Sequence, residues 1–280
     1  MVDLSVLASL HETIKQYGLD AKKSLGQNFL LDQNLTDKIA NAAGDLTGKT
    51  VFEIGSGPGG LTRSLLRLGA KKVMAIEYDD RAIEALKPLM DAAQGRLEII
   101  HGDALTYNLL DLIPQKMDQP PMIIANLPYN IATPLLVGWL KQLAENPQAY
   151  ASMTLMFQKE VVQRITAMSG DKHYGRLGVI ANWLCRTRKL FDVPASAFSP
   201  PPKVTSSIVH LTPRQYSDGQ PSFRVIEHLT EKAFGQRRKM IRSSLKEYSD
   251  YFSECGIDPT LRAENLTIDQ FIRLSMAIKI

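Results

Sequence analysis

The stretch T-V-F-E-I-G-S-G-P-G-G-L at residues 50–61 determines how the rest of this sequence is interpreted. It begins with a short apolar run, Val51–Ile54, continues with four glycines within six residues, and leads into leucines at helical spacing from Leu61 to Leu68. This pattern predicts a strand, a tight turn and a helix. Glycine suits such a turn because a side chain would hold a bound ligand away from the backbone and would disfavour a positive φ. The stretch therefore predicts a binding loop for a nucleotide cofactor.

The spacing of the glycines alone does not decide which cofactor the loop binds. Gly55, Gly57 and Gly60 match the dinucleotide pattern G-x-G-x-x-G, and Glu77 follows 22 residues after Gly55. By itself that match is a weak signal. Glu53, two residues before the first glycine, extends the motif to E-x-G-x-G-x-G, which is typical of S-adenosylmethionine (SAM) methyltransferases. We therefore favour SAM over a nicotinamide cofactor, and a plain glycine-rich turn is the remaining alternative.

The composition is that of a globular chain without a metal or disulfide framework. The 280 residues are 44% hydrophobic, which suffices for one large domain and a smaller one, and the net charge is +4. The two cysteines, Cys185 and Cys255, form no Cys-x-x-Cys pair, and histidines do not cluster, so we expect no metal. The N-terminus lacks a cationic leader and no 18-residue apolar run occurs, so we expect a cytoplasmic protein with no membrane association.

Strand-like and helical runs alternate around the glycine loop. An amphipathic helix is expected from Leu4 to Ile14. Strand-like runs lie at Val51–Ile54, Lys72–Tyr78, Leu97–His101, Met122–Ala125 and Met153–Gln158. Helical runs lie at Gln33–Ala43, Leu61–Leu68, Asp80–Ala93 and Pro134–Ala144. This alternation predicts an α/β fold, a Rossmann-like parallel sheet with helices on both faces, in which ligands bind at the C-terminal ends of the strands.

Acidic residues close two of the predicted strands. Glu77 ends the second strand-like run, and Asp103 follows the third within Gly102-Asp103-Ala104. A carboxylate after the second strand can accept hydrogen bonds from both ribose hydroxyls, and one after the third can accept from an adenine amino group. Each acid alone could equally be a helix cap or a solvated strand end. Together with the glycine loop they indicate an adenosine moiety.

Asn126-Leu127-Pro128-Tyr129 closes the fourth predicted strand. Proline ends the ladder there, so carbonyl groups near Asn126 and Leu127 are expected to accept hydrogen bonds from an exocyclic amine. Tyr129 offers a flat face on which a base can stack. Acceptors that hold the amine hydrogens out of the ring plane restore lone-pair character to the nitrogen, and the proton can leave after methyl transfer without a catalytic base. Elsewhere in a chain the same tetrapeptide would be an ordinary turn.

At this point the sequence resembles the ribosomal RNA adenine N6-dimethyltransferase family, and in particular its small-subunit branch of the KsgA type. The blocks that carry the resemblance are Lys23–Leu30, Glu53–Gly59, Glu77, Gly102–Ala104, Asn126–Tyr129, Phe157–Val161, Arg164, Tyr174–Leu177, Phe198–Val204 and Arg237–Lys239. Gly178 and Ser243 depart from the family pattern. The resemblance implies a Rossmann-like SAM-binding domain, a small all-α C-terminal domain and transfer of methyl groups from SAM to adenine N6.

The resemblance also implies roles for individual residues. The implied cofactor-binding residues are Asn28, Leu30, Gly55, Gly57, Glu77, Asp103, Ala104 and Asn126. The implied catalytic residues are Asn126, Leu127, Pro128, Tyr129 and Phe198. In this scheme Tyr129 stacks on the target adenine and Phe198 closes on its other face. Three prolines after Phe198 make its loop stiff, but without the resemblance a phenylalanine at a strand edge would be interpreted as core.

A linker rich in turn formers, Thr212–Ser222, predicts a boundary between domains at 1–212 and 213–280. Beyond it, helices are expected at Phe223–Phe234, Arg238–Tyr248, Asp258–Leu261 and Ile268–Lys279. Residues 186–246 hold twelve Lys or Arg against four Asp or Glu, so this region is suited to a phosphate backbone. The predicted RNA-binding residues are Lys203, Arg237, Arg238 and Lys239. The alternative is a solvated basic helix face.

Four functional hypotheses follow. The first is SAM-dependent dimethylation of N6 of two adjacent adenosines in the 3′-terminal stem-loop of small-subunit rRNA, on a pre-assembled small ribosomal subunit and by a monomer. The second is methylation of one adenine of large-subunit rRNA, as in the related resistance enzymes. The third is an assembly checkpoint that binds immature subunits, with methylation secondary. The fourth is a nicotinamide-dependent dehydrogenase, which equal binding of NAD and SAM would favour.

Overall fold

The computed structural model describes residues 4, 6–19, 27–113, 117–216, 219–236 and 238–278. The chain divides into two compact units. The first comprises Met1–Gly138, Gln148–Lys159 and Lys189–Leu211, and the second comprises Trp139–Pro147, Glu160–Arg188 and Thr212–Ile280. The chain enters the second unit for the last time at Thr212, one residue before the predicted boundary. The division into functional domains at 1–212 and 213–280 stays a prediction.

Ten α-helices and nine strands are formed by the described residues. The helices are α1 (Leu10–Gln16), α2 (Gln33–Ala42), α3 (Gly60–Arg67), α4 (Asp80–Ala92), α5 (Tyr129–Glu145), α6 (Lys159–Ile165), α7 (Arg176–Leu184), α8 (Phe223–Gly235), α9 (Ile241–Ser244) and α10 (Ile268–Ala277). The strands are β1 (Phe29–Leu30), β2 (Thr50–Ile54), β3 (Lys72–Glu77), β4 (Leu97–His101), β5 (Met122–Asn126), β6 (Ser152–Gln158), β7 (Cys185–Val193), β8 (Phe198–Ser199) and β9 (Ser206–Pro213).

Seven of the strands form one sheet in the order β4-β3-β2-β5-β6-β9-β7. The five strands from β4 to β6 are parallel, as the sequence predicts. All five residues of β2 are buried, which is expected of a strand covered by helices on both faces. The predicted α/β class is thus confirmed, with helices on both faces of a Rossmann-like sheet.

The edge of the sheet beyond β6 is absent from the sequence prediction. Strand β9 pairs antiparallel with β6, and β7 lies outside it as the edge strand. β7 reads C-R-T-R-K-L-F-D-V, and only its first and last residues are buried. Charged side chains are common on edge strands because they discourage pairing with other chains. In the sequence the same charges resemble a basic loop, which is why the strand is missed.

The second unit has an apolar core of its own. The ring of Tyr174 meets Phe234 edge-on at a centroid distance of 5.8 Å, and Phe234 stacks on Phe271 at 5.9 Å. Helices α8 and α10 match their predictions within a few residues. Two other predictions are wrong. Residues 238–248 form only the four-residue α9, followed by a 3₁₀ helix at Lys246–Tyr251, and Asp258–Leu261 forms turns rather than a helix.

The N-terminal helix is shorter than its apolar spacing predicts. It begins at Leu10 rather than Leu4 because Ser9 and Glu12 form a capping box. The Ser9 backbone N–H donates to Glu12 Oε2 at 2.8 Å, and the Glu12 N–H donates to Ser9 Oγ at 3.3 Å. Leu4 and Leu7 still pack on the core of the first unit from outside the helix, so their apolar spacing reflects burial rather than helical structure.

Candidate active site

A cavity lies at the C-terminal ends of the parallel strands, where the strand order reverses on either side of β2. This is the position at which open α/β sheets bind their ligands. Its walls come from five segments of the first unit, namely Gln27–Leu30, Glu53–Leu61, Ile76–Tyr78, Gly102–Ala104 and Asn126–Ile131. The structure therefore brings together every predicted cofactor-binding residue and four of the five predicted catalytic residues.

The glycine loop approaches its neighbours too closely for side chains. Gly55, Gly57 and Gly59 all have positive φ, at 71°, 52° and 87°. A Cβ on Gly57 would lie 2.9 Å from Cε1 of the Phe29 ring, which is buried in β1. A Cβ on Gly60 would lie 2.8 Å from the Leu30 carbonyl oxygen. The loop and the segment before α2 thus form one closely fitted wall of the cavity.

We expect Gly57→Ala to lower the free energy of unfolding by more than the strain of a positive φ at Gly57 accounts for. Gly44→Ala is a matched control, because Gly44 also has a positive φ of 97° but has open space around its Cβ position. The control should lose about 1–2 kcal/mol of unfolding free energy from left-handed strain. Gly57→Ala should lose about 1–3 kcal/mol more from the clash with the Phe29 ring. Urea unfolding measures both, and equal losses would contradict the account.

The carboxylate of Glu77 joins the end of β3 to the glycine loop. Its Oε2 accepts the Gly57 N–H at 2.9 Å, and its Oε1 accepts the N–H groups of Tyr78 and Asp79 at 2.8 and 2.9 Å. A carboxylate has about four acceptor positions, so roughly one is left for a ligand. The sequence expectation that this acid accepts both ribose hydroxyls would require one of these backbone bonds to be displaced.

Asp79 ties the segment Gln27–Leu30 to the same strand end. Its Oδ2 accepts from Gln27 Nε2 at 3.0 Å and from the Arg81 guanidinium at 2.7 Å. The hydrogen bond from Arg81 is the main reason that the pKa of Asp79 falls to about 2, and Gln27 lowers it further. Sequence reasoning missed Gln27 and Asp79. The available signal was the acid directly before α4, which caps that helix.

Glu53 is buried beneath the loop and reaches the cavity wall. Its Oε2 accepts the Thr62 hydroxyl hydrogen at 2.7 Å. Burial raises the pKa of Glu53 to about 8, opposed by the Thr62 hydrogen bond and assisted by the charge of Glu77. The side chain is therefore largely protonated at neutral pH. Glu53, the acid of the E-x-G-x-G-x-G motif, therefore acts as a neutral hydrogen-bonding group that supports the glycine loop.

A pH-dependent loss of stability follows from Glu53. The folded-state pKa of about 8 exceeds the ordinary glutamate value of 4.5, so the folded chain binds more protons than the unfolded chain between these values. The stabilisation of the folded chain by protonated Glu53 is fully present below pH 4.5 and is lost as the pH rises through 8. The slope is at most about 1.4 kcal/mol per pH unit. Glu53→Gln keeps a partner for Thr62, so its unfolding free energy should fall less than that of the wild type between pH 5.5 and 9. Parallel profiles would contradict this.

Asp103 and Ala104 lie at the end of β4. Asp103 is exposed and caps a short 3₁₀ helix, with its Oδ1 accepting the Leu105 N–H at 2.9 Å. Within the described part of the chain Oδ2 accepts no hydrogen bond, so it can receive one from a ligand. Gly102 has no room for a side chain because a Cβ there would lie 2.5 Å from the Tyr107 hydroxyl oxygen. Ala104 is buried beside them.

The segment Asn126–Tyr129 leads from β5 into α5 along the cavity. Asn126 Nδ2 donates to the Asn28 carbonyl oxygen at 3.3 Å, which leaves the side-chain oxygen of Asn126 for another donor. Leu127 is buried, and the Pro128 ring lies 3.4 Å from the Cβ position of Gly55. Tyr129 is half-buried, and desolvation raises the pKa of its hydroxyl group.

Phe198 and the predicted RNA-binding residues lie outside the cavity lining. Phe198 is 5% exposed, packs in the core of the first unit and pairs with Leu30 in a two-stranded sheet. Its contact with a target base is not seen in this structure and stays a prediction. Lys203 is exposed on the loop after Phe198. In the second unit Arg238 and Lys239 are exposed, and Arg237 lies outside the described residues.

Two classes of feature are absent from the residues that the structure describes. Within them no group of three or more His, Cys, Asp or Glu side chains is arranged to hold a metal ion. None of the helices in the same ranges has the length and apolar character needed to cross a membrane.

Comparison with known proteins assigns the chain to a family. Residues 18–279 match the family model described as ribosomal RNA adenine dimethylase. The ribosomal RNA small subunit methyltransferase A of Agrobacterium fabrum is 53% identical over 98% of this chain and 99% of its own length. The protein of the same name from Xanthobacter autotrophicus is 52% identical over 98% of this chain and 95% of its own.

Two solved structures are also similar. A dimethyladenosine transferase from Plasmodium falciparum is 29% identical, with a TM-score of 0.70 over 87% of this chain and 94% of its own. The 23S rRNA methyltransferase ErmE is 25% identical, with a TM-score of 0.65 over 88% of this chain and 98% of its own. On these grounds the chain belongs to the ribosomal RNA adenine dimethylase family of SAM-dependent methyltransferases.

Proposed function

We propose that this enzyme transfers methyl groups from SAM to N6 of two adjacent adenosines in the 3′-terminal stem-loop of small-subunit rRNA, two methyl groups to each. The observation that carries the proposal is that the glycine loop and Asn126–Tyr129 line the same cavity of the first unit. The Agrobacterium fabrum and Xanthobacter autotrophicus relatives, both named for the small ribosomal subunit, support this choice of substrate.

The residues of the cavity fit SAM. Gly55, Gly57 and Gly60 line the cavity without side chains, so a ligand can approach the backbone of the glycine loop there. Glu77 has one acceptor position left for a ribose hydroxyl, and Asp103 Oδ2 can accept from the adenine amino group. Asn28 and Leu30 line the cavity on the segment that packs against the loop. When bound, SAM supplies a methyl group on a positively charged sulfur.

The chain's own residues then orient the target adenine. In this proposal the side-chain oxygen of Asn126 and the backbone carbonyl of Leu127 accept the N6 hydrogens and hold them out of the ring plane. The nitrogen lone pair is thereby directed toward the cofactor. Pro128 fixes the backbone between them, and Tyr129 stacks on the base, a contact worth about 1–3 kcal/mol. No general base is required, because the proton becomes acidic once the nitrogen carries the new methyl group.

A basic surface in the second unit is suited to the RNA backbone. It comprises Arg238, Lys239, Arg242 and Lys246, which are all exposed. None of them takes part in an ion pair with another described residue, unlike Lys232 nearby, which pairs with Glu247. Unpaired cations on one short stretch attract phosphates and release condensed counterions. We propose that this surface binds small-subunit rRNA within a pre-assembled subunit and that the enzyme acts as a monomer in the cytoplasm.

The basic surface predicts a steep salt dependence of subunit binding. Each phosphate contact contributes a slope of about −0.7 to −0.9 to a plot of log K against log salt concentration. Arg238→Ala/Lys239→Ala should therefore bind more weakly and should reduce the slope by about 1.4–1.8. Lys15→Ala/Lys71→Ala removes two exposed cations elsewhere and is the control. Equal slopes for both double variants would remove the basic surface from the proposal.

Methyl transfer from labelled SAM tests the proposed function. Small subunits that lack dimethyladenosine are the substrate, and large subunits and naked small-subunit rRNA are the comparisons. We expect label in small subunits and none in large subunits. Label only in large subunits would indicate the activity named for ErmE. Tight binding to small subunits without label would favour an assembly checkpoint instead.

A further inference from the structure

The hydroxyl group of Tyr129 has a partner that no sequence motif indicates. Tyr129 Oη lies 2.5 Å from Ser206 Oγ, within hydrogen-bonding distance. Tyr129 is the first residue of α5 and lines the cavity, whereas Ser206 is the first residue of β9 and is fully buried. The two are 77 residues apart in sequence. The contact thus connects the proposed base-stacking ring to the sheet.

Ser206 has a fixed position from which to hold that ring. Strand β9 pairs with β6, with Ser206 opposite Gln158. Directly before it, the Thr205 carbonyl oxygen accepts the Lys159 N–H at 2.9 Å. Strand β6 in turn pairs with β5, which ends at Asn126. Ser206, which hydrogen-bonds to the Tyr129 hydroxyl, and Asn126, which faces the target amine in the proposal, are therefore held by two strands of one sheet that both pair with β6.

The hydrogen bond constrains both the direction and the plane of the ring. A tyrosine side chain has two rotatable bonds, and its second torsion has a broad energy well. A partner at the hydroxyl fixes the direction of the ring axis. Because the phenolic O–H prefers the ring plane, that partner also favours one plane over others. A stacking platform needs both, since the position of the base decides whether N6 is in line with the methyl group.

We infer that Ser206 is a positioning residue for methyl transfer, which acts by orienting the ring of Tyr129 against the target adenine. The inference rests on the proposed function and adds a residue to it. The neighbouring Ser207 offers a matched control. It is equally buried, but its hydroxyl donates to Asp192 Oδ1 at 2.6 Å instead. Ser207→Ala therefore removes a buried serine hydroxyl from the same strand without touching Tyr129.

Kinetics of four variants test the inference: Ser206→Ala, Ser207→Ala, Tyr129→Phe and the Ser206→Ala/Tyr129→Phe double variant. We expect Ser206→Ala to lower kcat about tenfold, with the KM for small subunits and the Kd for SAM changed less than about twofold. The stoichiometry of SAM titration reports the folded fraction and should stay that of the wild type. Tyr129→Phe and the double variant should have the same kcat, because without the tyrosine hydroxyl Ser206 has nothing to hold.

Two results would overturn the inference while leaving the proposed function intact. One is a kcat for Ser206→Ala no lower than that for Ser207→Ala. The other is an equal effect of Ser206→Ala in the wild-type and Tyr129→Phe backgrounds. A wild-type enzyme that does not methylate small subunits would instead overturn the proposed function, and the inference with it.

Discussion

Asn126→Ala is expected to lower kcat for methyl transfer by about 10²–10³-fold, the loss seen when one preorganised polar partner of a transition state is removed. The side-chain oxygen of Asn126 is the acceptor that the structure leaves open beside the glycine loop, because Nδ2 is engaged with Asn28. Alanine cannot hold the amine hydrogens out of the adenine plane, so the nitrogen stays a poor nucleophile. Single-turnover methylation of small subunits measures the loss.

The loss should concern chemistry more than cofactor binding. Asn126→Ala also removes the bond to the Asn28 carbonyl, so the Kd for SAM should rise, but by less than about tenfold, which is the effect of one neutral hydrogen bond. Asn34→Ala is the control, since Asn34 is exposed on α2 outside the cavity lining. A variant that loses cofactor affinity and kcat in equal measure would give Asn126 a role in holding the cofactor rather than the target.

Glu77→Ala is expected to have the largest effect on cofactor binding, with the Kd for SAM raised by about one to two orders of magnitude. The variant loses a charged acceptor for the ribose, which is worth about 1.5–3 kcal/mol. It also leaves the N–H groups of Gly57, Tyr78 and Asp79 without their partner. Each unpaired buried donor costs about 1–3 kcal/mol, so the melting temperature should fall as well. Calorimetric titration and thermal unfolding measure the two effects.

Glu84→Ala controls for the loss of an acidic residue nearby. Glu84 is exposed on α4 and forms an ion pair with Lys87, so its removal should leave SAM affinity and stability nearly unchanged. Glu77→Ala also separates catalysis from subunit binding. If it still binds small subunits and supports their assembly, the checkpoint hypothesis gains support. If its Kd for SAM equals that of the wild type, the adenosine site has been assigned to the wrong strand end.

The parallel part of the sheet could be predicted from sequence because its strands are continuous apolar runs that end in glycine, acid or proline. The predicted run Leu97–His101 agrees with β4 to the residue, and Met122–Ala125 is one residue short of β5. β5 is buried along Met122–Ala125, so hydrophobicity alone identifies it, whereas the edge strand β4 is partly exposed and is identified by the apolar residues Leu97, Ile99 and Ile100. Strand β7 is only buried at its ends, and its charges concealed it.

Within the site, local motifs could be predicted from the sequence, but contacts between residues that are distant in sequence could not. The glycine loop and Asn126–Tyr129 are local motifs whose spacing follows from backbone geometry. Phe198 was expected at the target base on the strength of the family resemblance; here it packs in the core of the first unit, and its contact with a base stays a prediction. The contact between Ser206 and Tyr129 depends on the order of strands in the sheet, which no local pattern encodes.

The measurement that tests the central claim most directly is the nucleoside analysis of the 3′-terminal fragment of small-subunit rRNA after incubation of undimethylated small subunits with SAM and enzyme. Mass spectrometry of that fragment gives both the position and the number of methyl groups. We expect N6,N6-dimethyladenosine at two adjacent positions with the wild type, and unmodified adenosine with Asn126→Ala under single-turnover conditions. Unmodified adenosine with the wild type, or full dimethylation by the variant at the wild-type rate, would contradict the central claim.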